Sequence, residues 1–426
     1  MVLLRRNSPY HKIIVTLQPE KVEPIRSMKR NIKIISTIII AFLLLPHLSK
    51  AQDSTADSIA ATERDDFVTA SLLIGSPLKA IWSVFGHATL RMECPTYDLD
   101  LVFTFESDTD VGAFMTGVAG KAKAKYVAVP AEEYIEHARE EGRELRQYEL
   151  NLTVAERKEL WRRLDEEMMA GAYRHFNLLY TNCVSTTVGT VQQSLKGEHL
   201  EWGPQLFEMT KNDGDFFRHT LRDAAWAEFM FITFIGTAYD HHSPLQSKLS
   251  PENVIPMLSA ARIVDDNTDE SRPALRGEGK IILPKGKIEP GPLMSPTLAF
   301  GLLLLLTLLV TVAERWLKWR RIGIGYDTLL FTAQTLVFAL LIYMTFVSEL
   351  FPGHWNWYII PFLPVPLLLW ALERKGNTAR WWLAYSIVLA VFICCTPLHG
   401  SLDLPHQLIT ASLLVRSLNR YLLLNY

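Results

Sequence analysis

The chain has 426 residues, 49% of them hydrophobic, with a formal net charge of −2. That length allows one sizeable core together with a membrane bundle, and the near-neutral balance carries no footprint of nucleic-acid binding.

The grammar of an export signal begins at Met28 rather than at residue 1. Met28, Lys29, Arg30 and Lys33 form a basic start, Ile34 to Leu45 an apolar run, and Ser49-Lys50-Ala51 a small-x-small cleavage site. Residues 1–27 read as an upstream extension from a misplaced start and 28–51 as a signal peptide, so the mature chain begins near Gln52.

An exported domain occupies 52–264, with its ordered part at about 66–262. Within it, the run from His87 through Met92 reads as a strand, as do Leu101–Phe105, Tyr126–Val129 and Leu145–Leu152. Thr153-Val154-Ala155-Glu156 fits a capping box that opens a helix to about Met169, with Leu160, Trp161, Leu164 and Met168 on its core face. A second helix is expected from Cys183 to about Leu195. Strands and helices mixed within one domain indicate an α+β fold. Residues 265–296, rich in proline and glycine, read as a linker.

Residues 297–426 read as a helical transmembrane domain of about five spans. Apolar blocks lie at Thr297–Ala313, Thr328–Val347, Trp355–Leu372 and Trp381–Thr396, with a weaker one at Leu402–Leu418. Arg315, Lys318, Arg320 and Arg321 follow the first block, and Arg374, Lys375 and Arg380 follow the third. The other connections, Ser348–His354 and Pro397–His406, hold no Lys or Arg, which puts them outside with the exported domain. Arg416, near the end of the last block, is expected to snorkel to the interface.

Two motifs carry chemistry: Phe85-Gly86-His87-Ala88-Thr89-Leu90-Arg91, and Tyr180-Thr181-Asn182-Cys183 some ninety-five residues later. A cysteine nucleophile acts as thiolate and needs a base within reach, and a helix start beside the sulfur favours the anion. Histidine before cysteine reverses the order in papain and suits a circularly permuted papain-like enzyme. Asn182 is expected to cap the helix, leaving the first amides as an oxyanion hole. Asp98 and Asp100 are candidates to orient His87, with a turn acid the simpler reading of Asp98. The bland alternatives are a buried core histidine and cysteine, or a structural Cys94–Cys183 disulfide, since Cys394 and Cys395 fall inside a predicted span.

No cofactor is expected. Asp240-His241-His242 lacks the further spaced ligands that zinc needs and reads as a solvated turn. His354, His399 and His406 come to the outer face of the membrane, where they line a substrate path or anchor at the interface with Trp355 and Trp357.

In order along the chain, the Phe85–Arg91 motif, Asp100 before Val102 and Phe103, Phe114 with Gly117, Gly142-Arg143 before Gln147, Leu150-Asn151-Leu152-Thr153, and Asn182-Cys183 resemble the blocks of a known family. It is the Lnb-type lipoprotein N-acyltransferases of the Bacteroidota, whose membrane part His354-Trp355-Asn356-Trp357 also resembles. The sequence departs from that family at Thr181 and at Val184-Ser185-Thr186, which bears on substrate contacts more than on the nucleophile. The resemblance implies a permuted papain-like thiol domain in the periplasm, tethered in the inner membrane by several spans. It further implies transfer of a fatty acyl chain through a Cys183 thioester onto the α-amine of diacylated lipoproteins, with a phospholipid or the lipoprotein's own diacylglycerol as donor. Cys183, His87, Asn182 and Asp100 are then the catalytic candidates, and Arg91, His354, Asn356, His399 and His406 the substrate-binding ones. The competing readings are a membrane-tethered thiol amidase or peptidase acting on cell-wall peptides, and a non-catalytic lipid- or lipoprotein-binding module.

Overall fold

The computed structural model describes residues 68–79, 83–107, 116–178, 180–203, 213–236, 250–287, 292–350, 356–373, 378–395 and 403–425. The export signal, Asp240-His241-His242, His354 and His399 lie outside them.

Among the described residues of the N-terminal domain, ten strands follow one another: β1 (Thr69–Gly75), β2 (His87–Cys94), β3 (Leu99–Ser107), β4 (Lys123–Pro130), β5 (Leu145–Glu149), β6 (Arg174–His175), β7 (Glu198–Glu201), β8 (Arg262–Asp265), β9 (Ser271–Pro273) and β10 (Lys280–Leu283). Seven of them form an antiparallel sheet in the order β10-β5-β1-β2-β3-β4-β6, and β7-β8-β9 make a smaller one. The expected strands are present. The stretch read as a linker instead supplies β9 and β10, because its short apolar run Ile281–Leu283 completes the sheet edge beside β5.

Helices α1 (Ala131–Glu140), α2 (Val154–Ala170), α3 (Cys183–Ser194), α4 (Asp213–Leu221), α5 (Ala225–Ile235) and α6 (Pro251–Ala260) complete this domain. The two-residue alternation of β2 and β3 divides the sheet into two faces. On one, Leu90, Met92 and Phe105 meet Leu160 and Leu164 of α2 and Val184 and Val188 of α3, each buried leucine contributing about 1.5–3 kcal/mol. Thr89 and Thr104 are buried on the other, which α1 covers with Tyr134 and Ala138. The α2 capping box forms as expected: Glu156 Oε2 accepts the Thr153 amide at 2.7 Å, and the Thr153 hydroxyl accepts that of Glu156 at 3.3 Å.

The C-terminal part holds α7 (Pro296–Trp316), α8 (Arg320–Phe346), α9 (Ile359–Phe362), α10 (Val365–Leu372), α11 (Ala379–Cys395) and α12 (Leu404–Asn425). Among the described residues, α7 and α8 are long and apolar enough to cross a bilayer. The third apolar block breaks into α9 and α10 at Pro364, which lacks the amide a continuous helix would use. Arg416 does not snorkel. It is fully buried, bonding Asp327 at 2.5 Å and Glu314 at 2.8 Å, while Arg420 bonds the other oxygen of Asp327 at 2.8 Å. Carboxylates on α7 and α8 remove the need for the arginine to reach water.

The two parts are fastened together. Ser348 donates to the Val118 carbonyl at 2.7 Å, and the Glu349 amide to the Ala119 carbonyl at 3.0 Å. Helix α5, apolar but for Glu228 and Thr233, sets Trp226 and Phe229 against Phe300 of α7, while its Phe231 packs on Phe85 and Phe217.

Candidate functional site

The sequence pair comes together at one end of the seven-stranded sheet. Gly86, at φ +78°, makes the turn into β2, and a Cβ there would lie 2.7 Å from the Gly75 carbonyl oxygen. The turn therefore requires glycine and fixes where His87 starts the strand. Phe85 anchors the other side of the turn, edge-on to Phe217 and Phe231 at centroid distances of 6.0 and 5.2 Å.

Cys183 is the first residue of α3. Asn182 caps that helix, accepting the amides of Val184 and Ser185 at 2.9 Å each, while Ser185 Oγ accepts the Asn182 amide at 2.9 Å. Asn182 is thus a cap, as expected. The amides of Val184 and Ser185, expected as an oxyanion hole, both donate to its side chain.

Both His87 and Cys183 are half-buried. Burial pushes the Cys183 thiol up to about 11, opposed by hydrogen bonds from the backbone of Ala88, Val184 and Cys183 itself and by the charge of Arg143. The residue after His87 therefore touches the sulfur. Burial, with help from the Arg143 charge, lowers His87 to about 3. At neutral pH the resting pair is a neutral thiol and a neutral imidazole.

His87 Nε2 lies 2.7 Å from the Thr104 hydroxyl, which in turn donates to Glu106 Oε1 at 3.0 Å. Because Thr104 spends its proton on Glu106, its oxygen accepts from Nε2–H, and the imidazole keeps its lone pair on Nδ1. Burial raises the Glu106 carboxyl above its ordinary range, with the Thr104 hydrogen bond working against it. Thr104 and Glu106 were missed in the sequence, although alternation from the core residues Phe103 and Phe105 assigns both to the face opposite the core. What sequence lacks is the register that sets them beside His87.

Arg143 completes the surroundings. Its Nη1 donates to the Ser76 carbonyl at 3.1 Å and its Nε to Glu141 at 3.0 Å. Its Cδ passes 2.7 Å from where a Cβ on Gly75 would stand, and Gly75 is the cross-strand partner of His87.

Other predicted site residues have different duties. Asp100 does not reach His87: both its oxygens grip Arg91, at 2.7 and 2.6 Å. Arg91 also donates to Gln147 at 2.8 Å, so its guanidinium is engaged within the sheet rather than offered to substrate. Four residues along β2 put Arg91 about 13 Å from His87. Asp98 sits in a left-handed turn. Asn356, buried, donates to the Thr233 carbonyl at 2.7 Å at the end of α5, and Gly236 there has no room for a Cβ against it. His406 is also buried, 2.7 Å from the Thr233 hydroxyl and stacked on Tyr358 at 3.9 Å. Both fasten α5 to the membrane part. No disulfide joins Cys94 to Cys183: the sulfur of Cys183 lies by Ala88 near one end of β2, and Cys94 closes the other end, about 20 Å away. Among the described residues no cluster of His, Cys, Asp or Glu could hold a metal.

Residues 57–206 match the family profile of the Lnb N-terminal periplasmic domain. Residues 287–426 match that of the Lnb transmembrane domain, so that the two together span most of the chain. No curated protein and no solved structure matches.

Proposed function

The chain belongs to the Lnb family, and from that premise we propose that it is a lipoprotein N-acyltransferase of the bacterial inner membrane. In this reading five spans carry a permuted papain-like thiol domain on the periplasmic side, and the acyl chain passes through a thioester on Cys183. The observation that carries the reading is the contact between the amide after His87 and the sulfur of Cys183, two motifs far apart in the chain.

The reaction is a ping-pong transfer. His87 Nδ1 takes the thiol proton, and the sulfur attacks an ester carbonyl of a phospholipid or of a lipoprotein's diacylglycerol. The ester C–O bond breaks, the departing alkoxide takes the proton back from His87, and an acyl-thioester remains. The α-amine of a diacylated lipoprotein, with a pKa of about 7.7–8.0, then attacks as the neutral base. The C–S bond breaks, and the amine's surplus proton returns through His87 to the thiolate. Thr104 and Glu106 hold the imidazole in the tautomer this needs, and the backbone amides of Ala88 and Cys183 stabilise the anionic sulfur and the developing oxyanion.

Mass spectrometry of lipoprotein N-termini tests the reading. Cells lacking this chain are expected to carry diacylated lipoproteins with free amines, and the wild-type chain, but not Cys183→Ala, restores the third acyl group. Restoration by Cys183→Ala overturns it.

A further inference from the structure

A cavity of about 530 Å³ lies between α5 and the spans. Phe229 and Met230 of α5 form one wall, Phe300 of α7 another, and Leu330, Ala333 and Gln334 of α8 a third. Its size falls within the range of small-molecule sites, about 300–1,000 Å³. The lining is hydrocarbon almost throughout. Leu340, 39% exposed, belongs to the same wall, so the cavity opens on the outer surface of the spans. What reaches that opening within a bilayer is a lipid chain.

Its depth and its neighbours point the same way. Phe300 lies one turn inside the periplasmic end of α7, about 6 Å along the helix, which puts this wall in the outer leaflet. Among the described residues Lys79 is the one charged group of the lining. It follows β1, whose last residue, Gly75, pairs with His87. On the far side of α5, Phe231 packs against Phe85, two residues before His87. One helix therefore separates the cavity from the turn that sets the histidine. Gln334, 3% exposed, uses its amide nitrogen on Pro361, Leu363 and Tyr385, and its Oε1 has no partner among the described residues.

We propose that this cavity binds one fatty acyl chain of a glycerophospholipid, with Lys79 at the mouth meeting the phosphate. The assignment rests on the acyltransfer reading and sharpens it: the donor is a phospholipid drawn sideways from the outer leaflet. A diacylated lipopeptide carries no phosphate for Lys79 to meet. Charge complementarity thus selects between the two donors.

The test uses the full-length Cys183→Ala protein in phospholipid nanodiscs, with a phosphatidylglycerol bearing a diazirine near the end of one acyl chain. After photolysis, peptide mass spectrometry is expected to find adducts on the α5 residues Phe229 and Met230. Ala333→Phe, which fills the cavity, removes them while adducts on the outward-facing Leu329 and Leu336 persist. Lys79→Glu lowers the α5 adducts about fivefold, the effect of one surface lysine on an anionic lipid. Adducts confined to the outer surface, or unchanged by Ala333→Phe, overturn the cavity assignment. A diazirine lipopeptide that labels α5 as strongly, with no dependence on Lys79, overturns the phospholipid assignment. Because labelling needs no turnover, adducts at α5 in a protein whose wild type forms no N-acyl product would leave the lipid site standing and sink the acyltransfer reading alone.

Discussion

Two groups of buried polar residues, one in the spans and one at the end of the sheet, are finished differently. In the spans, Arg416 answers Asp327, Glu314 and the Thr311 hydroxyl, and Asn419 adds a further bond to Glu314 at 2.9 Å. At the end of the sheet, the backbone of Ala88 reaches the sulfur of Cys183, and His87 is held by the Thr104 hydroxyl. The cluster in the spans bonds its arginines to its own carboxylates and holds helices in register, whereas in the proposed function the end of the sheet is the place that meets substrate. The contrast separates structural from chemical use of costly groups without reference to which residue types are involved.

Breaking each place should give a different phenotype. Cys183→Ala is expected to abolish N-acylation with no loss of folded, membrane-inserted protein, and His87→Ala to lower the rate roughly 10²–10⁴-fold, the worth of a general base. Both are read by transfer of acyl chain to a synthetic diacylated lipopeptide. Arg416→Leu should do the reverse. It leaves Asp327 and Glu314 buried without their partner and lowers stability by about 3–5 kcal/mol, measured as a fall in the detergent melting temperature and in yield. An Arg416→Leu protein of wild-type stability would show that the cluster is not what holds α7, α8 and α12.

A finer test lies within the site. Thr104→Val keeps the shape but removes the acceptor that fixes His87, so transfer should fall about ten- to a hundredfold with the melting temperature little changed. Asp100→Asn weakens only the bond to Arg91, a partly exposed pair worth less than about 1 kcal/mol, and transfer should be unaffected. Equal losses from the two would return Asp100 to the site and remove Thr104 from it.

The smallest effect concerns pH. The folded thiol ionises near 11 against an ordinary value of 9, so the unfolded chain loses its proton first and stability declines as pH rises through that interval. His87, held near 3 against 6.5, gives the opposite limb: the unfolded chain gains a proton first, and stability declines as pH falls through that interval. Alkylation of Cys183 in the substrate-free protein should accordingly keep accelerating between pH 9 and 10. A plateau by pH 9 would mean that the resting thiol is not raised.

Much of this was readable from the chain because it depends on local pattern. The capping box at Thr153, the strand after His87 and the helix opening at Cys183 all announce themselves within a few residues. The partners of His87 do not. Thr104 and Glu106 look like ordinary strand residues until the β2–β3 register sets them against the imidazole, whereas Asp100 is acidic and stands at the start of the strand expected beside His87. Helix α5 was overlooked for a similar reason: at eleven residues it is too short to read as a span, and its largely apolar character makes sense only once Asn356 and His406 fasten it among the membrane helices. The same two residues looked like substrate ligands because polar groups at that depth often are. Their partners, however, belong to the protein itself.

Trapping an acyl group on the sulfur of Cys183 decides whether the chain passes through a thioester there. Purified full-length protein is mixed with phospholipid in the absence of lipopeptide, quenched in acid and digested. The expected result is an acyl adduct on the peptide containing Cys183, removed by hydroxylamine at neutral pH, absent from His87→Ala, and discharged to an amide when diacylated lipopeptide is added. N-acylation that proceeds while Cys183 carries no hydroxylamine-sensitive acyl group at any time would contradict it.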